Sequence, residues 1–173
     1  TEQSIYGLDG STGVGGAELA ILTLCSAWSE AGHDVTFYNN PRVAKGSSFN
    51  QAHLSTFIPQ ADRDILIIFR SPNFRIKNAK GKKIWFSTDQ YTVGDFKDFA
   101  TKVDTIVTIS QFHANHFEST YGIKNTTVID LPVRTWEYEK QVEKVPYSLI
   151  FCSVPDRGLA VLAEMYDEIR GAV

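Results

Sequence analysis

Hydrophobic positions along the chain follow two different periods, and each period predicts a different element. Between Ala17 and Ala31 apolar residues recur at three- and four-residue steps, which predicts an amphipathic helix, and Gly32 is placed to end it. Short apolar runs without alternation predict strands that helices cover on both faces. These runs are Asp64–Phe69, Lys83–Phe86, Thr105–Ile109 and Thr126–Ile129.

Further elements complete an alternating order of strands and helices. Strands are predicted at Ser4–Leu8 and His33–Tyr38, and a helix is predicted over residues 110–121, where Gly122 ends it. The apolar side of that helix is expected to carry Phe112, Phe117 and Tyr121. Short apolar strands separated by helices predict an α/β fold with a doubly wound, mostly parallel sheet of the Rossmann-like kind.

The pattern changes after Pro132 and predicts three regions. Residues 1–133 form the Rossmann-like domain, and residues 134–146, which are polar and bordered by prolines, form a linker. Residues 147–173 hold one strand, Ser148–Cys152, and one helix with an apolar face, the start of a second unit. Since a lone strand and helix cannot bury an apolar face, we expect them to dock on the first domain or to exchange with a neighbouring chain in a self-associated dimer.

Composition narrows the class of protein. The 173 residues are 43% apolar with a net charge of −3, which suits a folded core and argues against a nucleic-acid partner. No apolar run approaches the roughly 18 residues that a membrane span needs. Cys25 on an apolar helix face and Cys152 in an apolar strand are expected to be buried thiols. We therefore expect a protein of a reducing, cytoplasmic compartment.

A glycine-rich segment, residues 13–18, precedes the first helix. Glycines let a backbone approach a ligand closely, and a helix N-terminus favours an anion such as a phosphate. The spacing does not fit a dinucleotide site, and the next strand ends in Asn39 and Asn40 without the acidic residue that a ribose needs. Ala17 stands where a nucleotide-hydrolase loop needs lysine. A plain tight turn, with Glu18 capping the helix, stays open.

Five segments together resemble a known family. Gly15-Gly16-Ala17-Glu18 and Gly32-His33-Asp34-Val35 are similar to the Gly-Gly-x-Glu loop and Gly-His-x-Val segment of GT-B glycosyltransferases of family 4. Lys83–Asp89 resembles the family's strand that ends at the cleft. Val107–Phe112 resembles the strand and serine before the next helix, and Phe151–Leu159 resembles the opening of the donor-binding domain.

The resemblance implies transfer of a sugar from a nucleotide-sugar donor to the hydroxyl of a carbohydrate or other acceptor, without a bound metal or a cofactor. The amides of Gly15 and Gly16 would face the donor phosphates, and Arg157 would bind the diphosphate, unless it is merely an exposed arginine in a turn. The pair of glutamates in the family's donor domain has no counterpart in these residues, so we expect this chain alone to be inactive, either as a fragment of a longer enzyme or as a truncated relative.

The resemblance also places acceptor-side residues in the cleft. Thr88 stands where many relatives have histidine, so Asp89 is the candidate catalytic residue, either orienting an acceptor hydroxyl or acting as a base; capping the next turn is an equal alternative. Glu18 and Ser110 complete the candidate cleft. His113 and His116 are three apart on one helix, but without a third ligand nearby we expect surface or partly buried histidines and no metal site.

Two questions stay open at this point. The locally basic segment from Arg70 to Lys83 could meet an anionic acceptor or a membrane surface, or be an ordinary solvated loop. The principal alternative to an enzyme is a non-catalytic α/β module that binds a sugar or a phosphorylated ligand at the glycine-rich cleft. A receiver-like signalling domain fits poorly, because no lysine ends a late strand.

Overall fold

The computed structural model describes residues 15–40, 47–89, 96–153 and 155–172. The chain divides into two compact units, Thr1–Arg134 and Thr135–Val173. The first is an α/β unit whose strands are parallel in two sheets. The strand predicted at Ser4–Leu8 lies outside the described residues.

Helix α1 spans Gly16–Glu30, as the apolar period predicts. Gly32 follows it with a φ of +92°, a backbone conformation that glycine adopts without a steric penalty. The helix buries Ile21, Leu22 and Cys25 against Phe49, and burial raises the pKa of the Cys25 thiol to about 12. The thiol is therefore packed as a small apolar group.

The smaller sheet contains β1, Thr36–Asn39, and β2, Asn50–His53, paired in parallel. The strand predicted from His33 begins at Thr36 instead. The sequence pattern missed β2 because its residues, Asn-Gln-Ala-His, are mostly polar. β2 belongs to the sheet because its backbone pairs with β1, and such pairing leaves no periodic pattern of side chains in the sequence.

The larger sheet is fully parallel, with the order β3-β4-β5-β6. Its strands are β3 at Ile65–Phe69, β4 at Lys82–Phe86, β5 at Thr105–Thr108 and β6 at Thr126–Val128. The four predictions of these strands are confirmed to within one or two residues. Helix α2, Phe96–Ala100, lies between β4 and β5 in the chain, and α3, Gln111–Tyr121, lies between β5 and β6. Because all four strands are parallel, their carboxyl ends lie along one edge.

The main core lies against this larger sheet. Trp85 of β4, Phe99 of α2, Ile106 of β5 and Phe117 of α3 are all 0% exposed. Each such side chain stabilises the fold by about 1.5–3 kcal/mol through the apolar surface that it removes from water. Strands β3, β4 and β5 and helices α2 and α3 thus share one cluster, which is separate from the cluster of α1 and Phe49.

Phe112 corrects the predicted apolar face of α3, because its side chain is 70% exposed. Phe117 lies five positions after Phe112, which turns the two side chains about 140° apart on a helix of 3.6 residues per turn. His113 and Ala114 occupy the buried side with Phe117 instead. Gly122 ends the helix in the left-handed conformation, as predicted.

The second unit differs from its prediction. Residues 148–152 form no strand, and Ile150 is 86% exposed. The predicted helix is divided at Met165 into α4, Leu159–Glu164, and α5, Tyr166–Gly171, while the predicted linker contains a 3₁₀ turn at Thr135–Tyr138. A strand needs a partner for its backbone groups, and the described part of this unit offers none. The prediction of a buried Cys152 is wrong for the same reason, since this thiol is exposed.

Within the described ranges, no helix is both long and apolar enough to cross a membrane.

Candidate functional site

Polar residues follow the strands of the larger sheet at its carboxyl edge. Arg70 comes directly after β3, Ser87, Thr88 and Asp89 come directly after β4, and Ser110 stands two residues after β5. Open parallel sheets bind ligands outside this edge, where loops and helix N-termini converge. Contacts with Arg70 bring Glu18, in the first turn of α1, to the same place.

Arg70 has a backbone held in an uncommon conformation, with a φ of +66°. Its N–H donates to the carbonyl of Phe86 at 2.8 Å, and its own carbonyl accepts from the indole Nε1 of Trp85 at 3.0 Å. A non-glycine residue in this region costs on the order of 1–3 kcal/mol and persists only where its surroundings fix it. The two hydrogen bonds to β4 provide that restraint, so the sheet itself sets where the Arg70 side chain begins.

The Arg70 guanidinium connects two carboxylates. Its Nε donates to Oδ2 of Asp89 at 2.8 Å, and its Nη1 lies 3.4 Å from Oε1 of Glu18. The hydrogen bond to Asp89, with that carboxylate's charge, raises the pKa of Arg70 above its ordinary value. We call Glu18, Arg70 and Asp89 the carboxyl-edge cluster. It carries two acidic groups and one basic group, and its side chains stay partly accessible.

Asp89 is positioned by the segment that leaves β4. Its Oδ2 also accepts from the Thr88 hydroxyl at 3.3 Å, and its carbonyl accepts from the Ser87 hydroxyl at 3.5 Å. Ser87 is 0% exposed, and its N–H donates to the carbonyl of Val107 in β5 at 2.9 Å. The pairing of β4 with β5 therefore continues into the segment that presents Asp89.

Gly15 is the N-cap of α1, and the Glu18 carboxylate folds back over it. A Cβ at Gly15 would overlap Oε2 of Glu18, whereas a Cβ at Gly16 would meet no atom within 4 Å. One carboxylate oxygen of Glu18 thus lies near the N-terminus of α1, and the other faces Arg70. The predicted donor-phosphate role of Gly15 and Gly16 remains a prediction, and a phosphate there would meet this carboxylate.

Ser110 and His113 organise the turn after β5. Ser110 is the N-cap of α3, where its hydroxyl accepts from the N–H of His113 at 3.1 Å. His113 is 4% exposed, which corrects the expected surface or partly buried histidine, and burial lowers its pKa. Its ring lies 3.1 Å from the carbonyl of Asp89 and 3.4 Å from the N–H of Ile109. In the described part of the chain, no three His, Cys, Asp or Glu side chains are grouped to hold a metal ion.

Arg157 belongs to the second unit. It is exposed at the end of a 3₁₀ turn, Pro155–Arg157, and Gly158 follows it as the N-cap of α4 with a φ of +107°. Its predicted contact with a donor diphosphate remains a prediction.

Sequence reasoning missed the role of Arg70, which it placed in a basic loop. The available signal was its position, an arginine immediately after the apolar strand Ile65–Phe69. Likewise, sequence reasoning treats His113 as a surface or partly buried helix histidine, although it stands three residues after a serine that can cap a helix.

These features define the class of protein: an α/β protein with parallel strands in two sheets and an ion-paired cluster at the carboxyl edge of the larger one. Searches against protein-family models, curated proteins and solved structures found no match for this chain.

Proposed function

We propose that this chain is the acceptor-side domain of a GT-B glycosyltransferase, joined to the beginning of a donor-binding domain. The enzyme would transfer a sugar from a nucleotide-sugar to an acceptor hydroxyl. The observation that carries the proposal is the carboxyl-edge cluster, in which Arg70 pairs with Asp89 and Glu18 beside the N-terminus of α1. The order of the family-like segments along the chain supports the same assignment.

The chemistry of the cluster suits a polyhydroxylated ligand. Carboxylates accept hydrogen bonds from sugar hydroxyls and a guanidinium donates them, so adjacent hydroxyls find complementary partners. In the transfer step, the acceptor oxygen forms a bond to the anomeric carbon as the bond to the nucleoside diphosphate breaks. Asp89 would orient that acceptor hydroxyl and receive its proton. The leaving diphosphate would gain charge-assisted hydrogen bonds from Arg157.

Transfer assays on the protein expressed from its complete gene test this proposal. A panel of UDP- and GDP-sugars is offered with simple glycan acceptors, and the products are read by mass spectrometry. Asp89→Asn is expected to lower transfer by about 10²-fold or more, the usual contribution of a positioned base. Asp62→Asn is the matched control, because Asp62 is a 91% exposed carboxylate in the loop before β3. Full transfer by Asp89→Asn would contradict the proposal.

The two glycines offer a second, finer test. Gly15→Ala is expected to displace the Glu18 carboxylate from Arg70 and weaken acceptor binding, because a Cβ would overlap Oε2 of Glu18. Gly16→Ala meets open space and is expected to leave binding unchanged. Isothermal titration with the acceptor found in the panel measures both variants. Equal affinities for the two would show that Glu18 takes no part in the site.

One observation favours the non-catalytic alternative, a module that binds a sugar or a phosphorylated ligand. Asp89 is already ion-paired with Arg70, and both ring nitrogens of His113 are hydrogen-bonded to backbone groups. Neither side chain is then poised as an unengaged base. Binding of glycans or sugar phosphates that depends on Arg70, with no transfer from any donor of the panel, would support this alternative.

A further inference from the structure

His113 joins three parts of the first unit from a buried position. Its ring contacts the N–H of Ile109 at the end of β5 and the carbonyl of Asp89 after β4, and its backbone N–H is bound by the Ser110 cap. The Phe117 ring packs edge-on against it at 4.9 Å between centroids. Packing on one side and hydrogen bonds at both nitrogens fix the imidazole in one orientation.

The two ring contacts assign a single tautomer. The N–H of Ile109 can only donate, so Nδ1 accepts and carries no proton. Nε2 then carries the proton and donates to the carbonyl of Asp89 at 3.1 Å. A doubly protonated ring would turn an N–H toward the N–H of Ile109 and lose that bond. The site therefore requires a neutral imidazole.

The Asp89 carbonyl links this ring to the carboxyl-edge cluster. This carbonyl belongs to the same residue whose side-chain carboxylate accepts the 2.8 Å hydrogen bond from Nε of Arg70. A histidine that holds the backbone of Asp89 restricts where its side chain can lie. Ser87, which also reaches this carbonyl, does so at 3.5 Å and provides the longer of the two contacts.

We propose that His113 is a positioning residue, whose neutral Nε2–H imidazole holds the backbone of Asp89 and thereby keeps the Asp89 carboxylate against Arg70. Its consequence for catalysis rests on the proposed function, but its consequence for the Asp89–Arg70 pair does not. Among the described residues, the charged or titratable groups that face the ring are Asp89, from the segment after β4, and His116, on α3 itself.

Two amide variants separate the two ring contacts. Asn carries its amide oxygen near the position of Nδ1, so His113→Asn can still accept from Ile109 but cannot reach Asp89. Gln carries its amide nitrogen near the position of Nε2, so His113→Gln can still donate to Asp89. Both replace the imidazole by a smaller polar group in the same helix, and each serves as the control for the other.

The readout is the Arg70 side-chain Nε–H signal in NMR spectra of the chain. In His113→Asn we expect it to exchange with water about tenfold faster than in the wild type, the factor that one hydrogen bond represents. In His113→Gln we expect the wild-type rate. Nitrogen shifts of the wild-type ring should show protonated Nε2 and unprotonated Nδ1, a measurement that depends on no variant.

Two results would overturn the proposal: an unchanged Arg70 signal in folded His113→Asn, or a wild-type ring protonated at Nδ1. If transfer is found in the full-length protein, kcat should fall in His113→Asn with little change in KM, and His113→Gln should restore it. If no donor is used but the NMR pattern holds, the glycosyltransferase assignment fails and the positioning role stands.

Discussion

The two units of this chain contain the same types of apolar side chain but differ in how far these side chains are exposed to solvent. Trp85 in β4 is 0% exposed, whereas Trp136, in the turn Thr135–Tyr138, is 61% exposed. Ile106 in β5 is 0% exposed, whereas Ile150 is 86% exposed. The first unit has parallel strands for each apolar run to join, and the described part of the second has no strand. Apolar sequence therefore produces a core only where backbone partners bring several runs together.

The two tryptophans provide the strongest test of this contrast. Trp85→Ala should lower the free energy of unfolding by about 3–5 kcal/mol, because it empties a fully buried site. The indole packs edge-on against Phe99 at 5.3 Å and Phe117 at 5.7 Å between centroids, and it also holds the Arg70 carbonyl. Urea unfolding followed by circular dichroism measures the change.

Trp136→Ala is the matched control, since it removes the same side chain from an exposed position in the second unit. Its effect on unfolding should lie within about 0.5 kcal/mol, as for most surface substitutions. A loss in Trp136→Ala comparable to that in Trp85→Ala would show that the second unit also depends on a buried core in solution.

The same contrast explains which parts of the fold the sequence could predict. The apolar period of α1 and the runs of β3 to β6 are local signals, and tertiary packing agrees with them. The run at 148–152 carries an equally good local signal, but strand formation depends on a partner that the pattern cannot report. Conversely, the polar β2 has no local signal and forms through its pairing with β1.

The candidate site was less predictable because its members are far apart in sequence. Glu18, Arg70, Asp89 and His113 lie on four separate segments; the last three meet because parallel strands end at one edge, and Glu18 joins them from the first turn of α1 through its contact with Arg70. Sequence reasoning selected Glu18 and Asp89 from motifs, yet the contacts that define the cluster pass through Arg70. Likewise, the buried position of His113 depends on the turn of α3, which also exposes Phe112.

A pair of glycines compares the two units at the level of the backbone. Gly81 and Gly158 both have left-handed φ values, +90° and +107°, so alanine at either position costs about 1–2 kcal/mol in conformation. At Gly81 a Cβ would also lie 2.8 Å from the carbonyl oxygen of Arg63, a backbone atom that cannot turn aside. At Gly158 it would meet nothing within 4 Å.

Gly81→Ala is therefore expected to destabilise the first unit by about 1–3 kcal/mol more than the conformational cost alone, the usual range for overpacking. Gly158→Ala should only weaken the start of α4. Thermal melts give the first effect, and amide exchange within residues 159–164 gives the second. Gly122→Ala, with a φ of +71° and open space, separates conformational cost from collision within the first unit. Equal losses at Gly81 and Gly122 would argue against the collision.

Acidification should change the stability of the two units differently, and this is the smallest of the predicted effects. Burial lowers the pKa of His113 below its ordinary 6.5, so the unfolded chain binds a proton more readily than the folded one. The stability that the neutral His113 ring contributes is thus complete above pH 6.5 and is lost as pH falls through the pKa of the folded state.

His113→Gln, which cannot titrate, should lose less stability than the wild type between about pH 7.5 and about pH 5. The other three histidines, all before Thr135, are present in both proteins. Urea unfolding of wild type and variant at several pH values measures it, with amide exchange in α3 locating it in the first unit. Parallel pH profiles for the two proteins would contradict this prediction. They would mean that the imidazole titrates equally in the folded and unfolded chain, despite its burial between Ile109, Asp89 and Phe117.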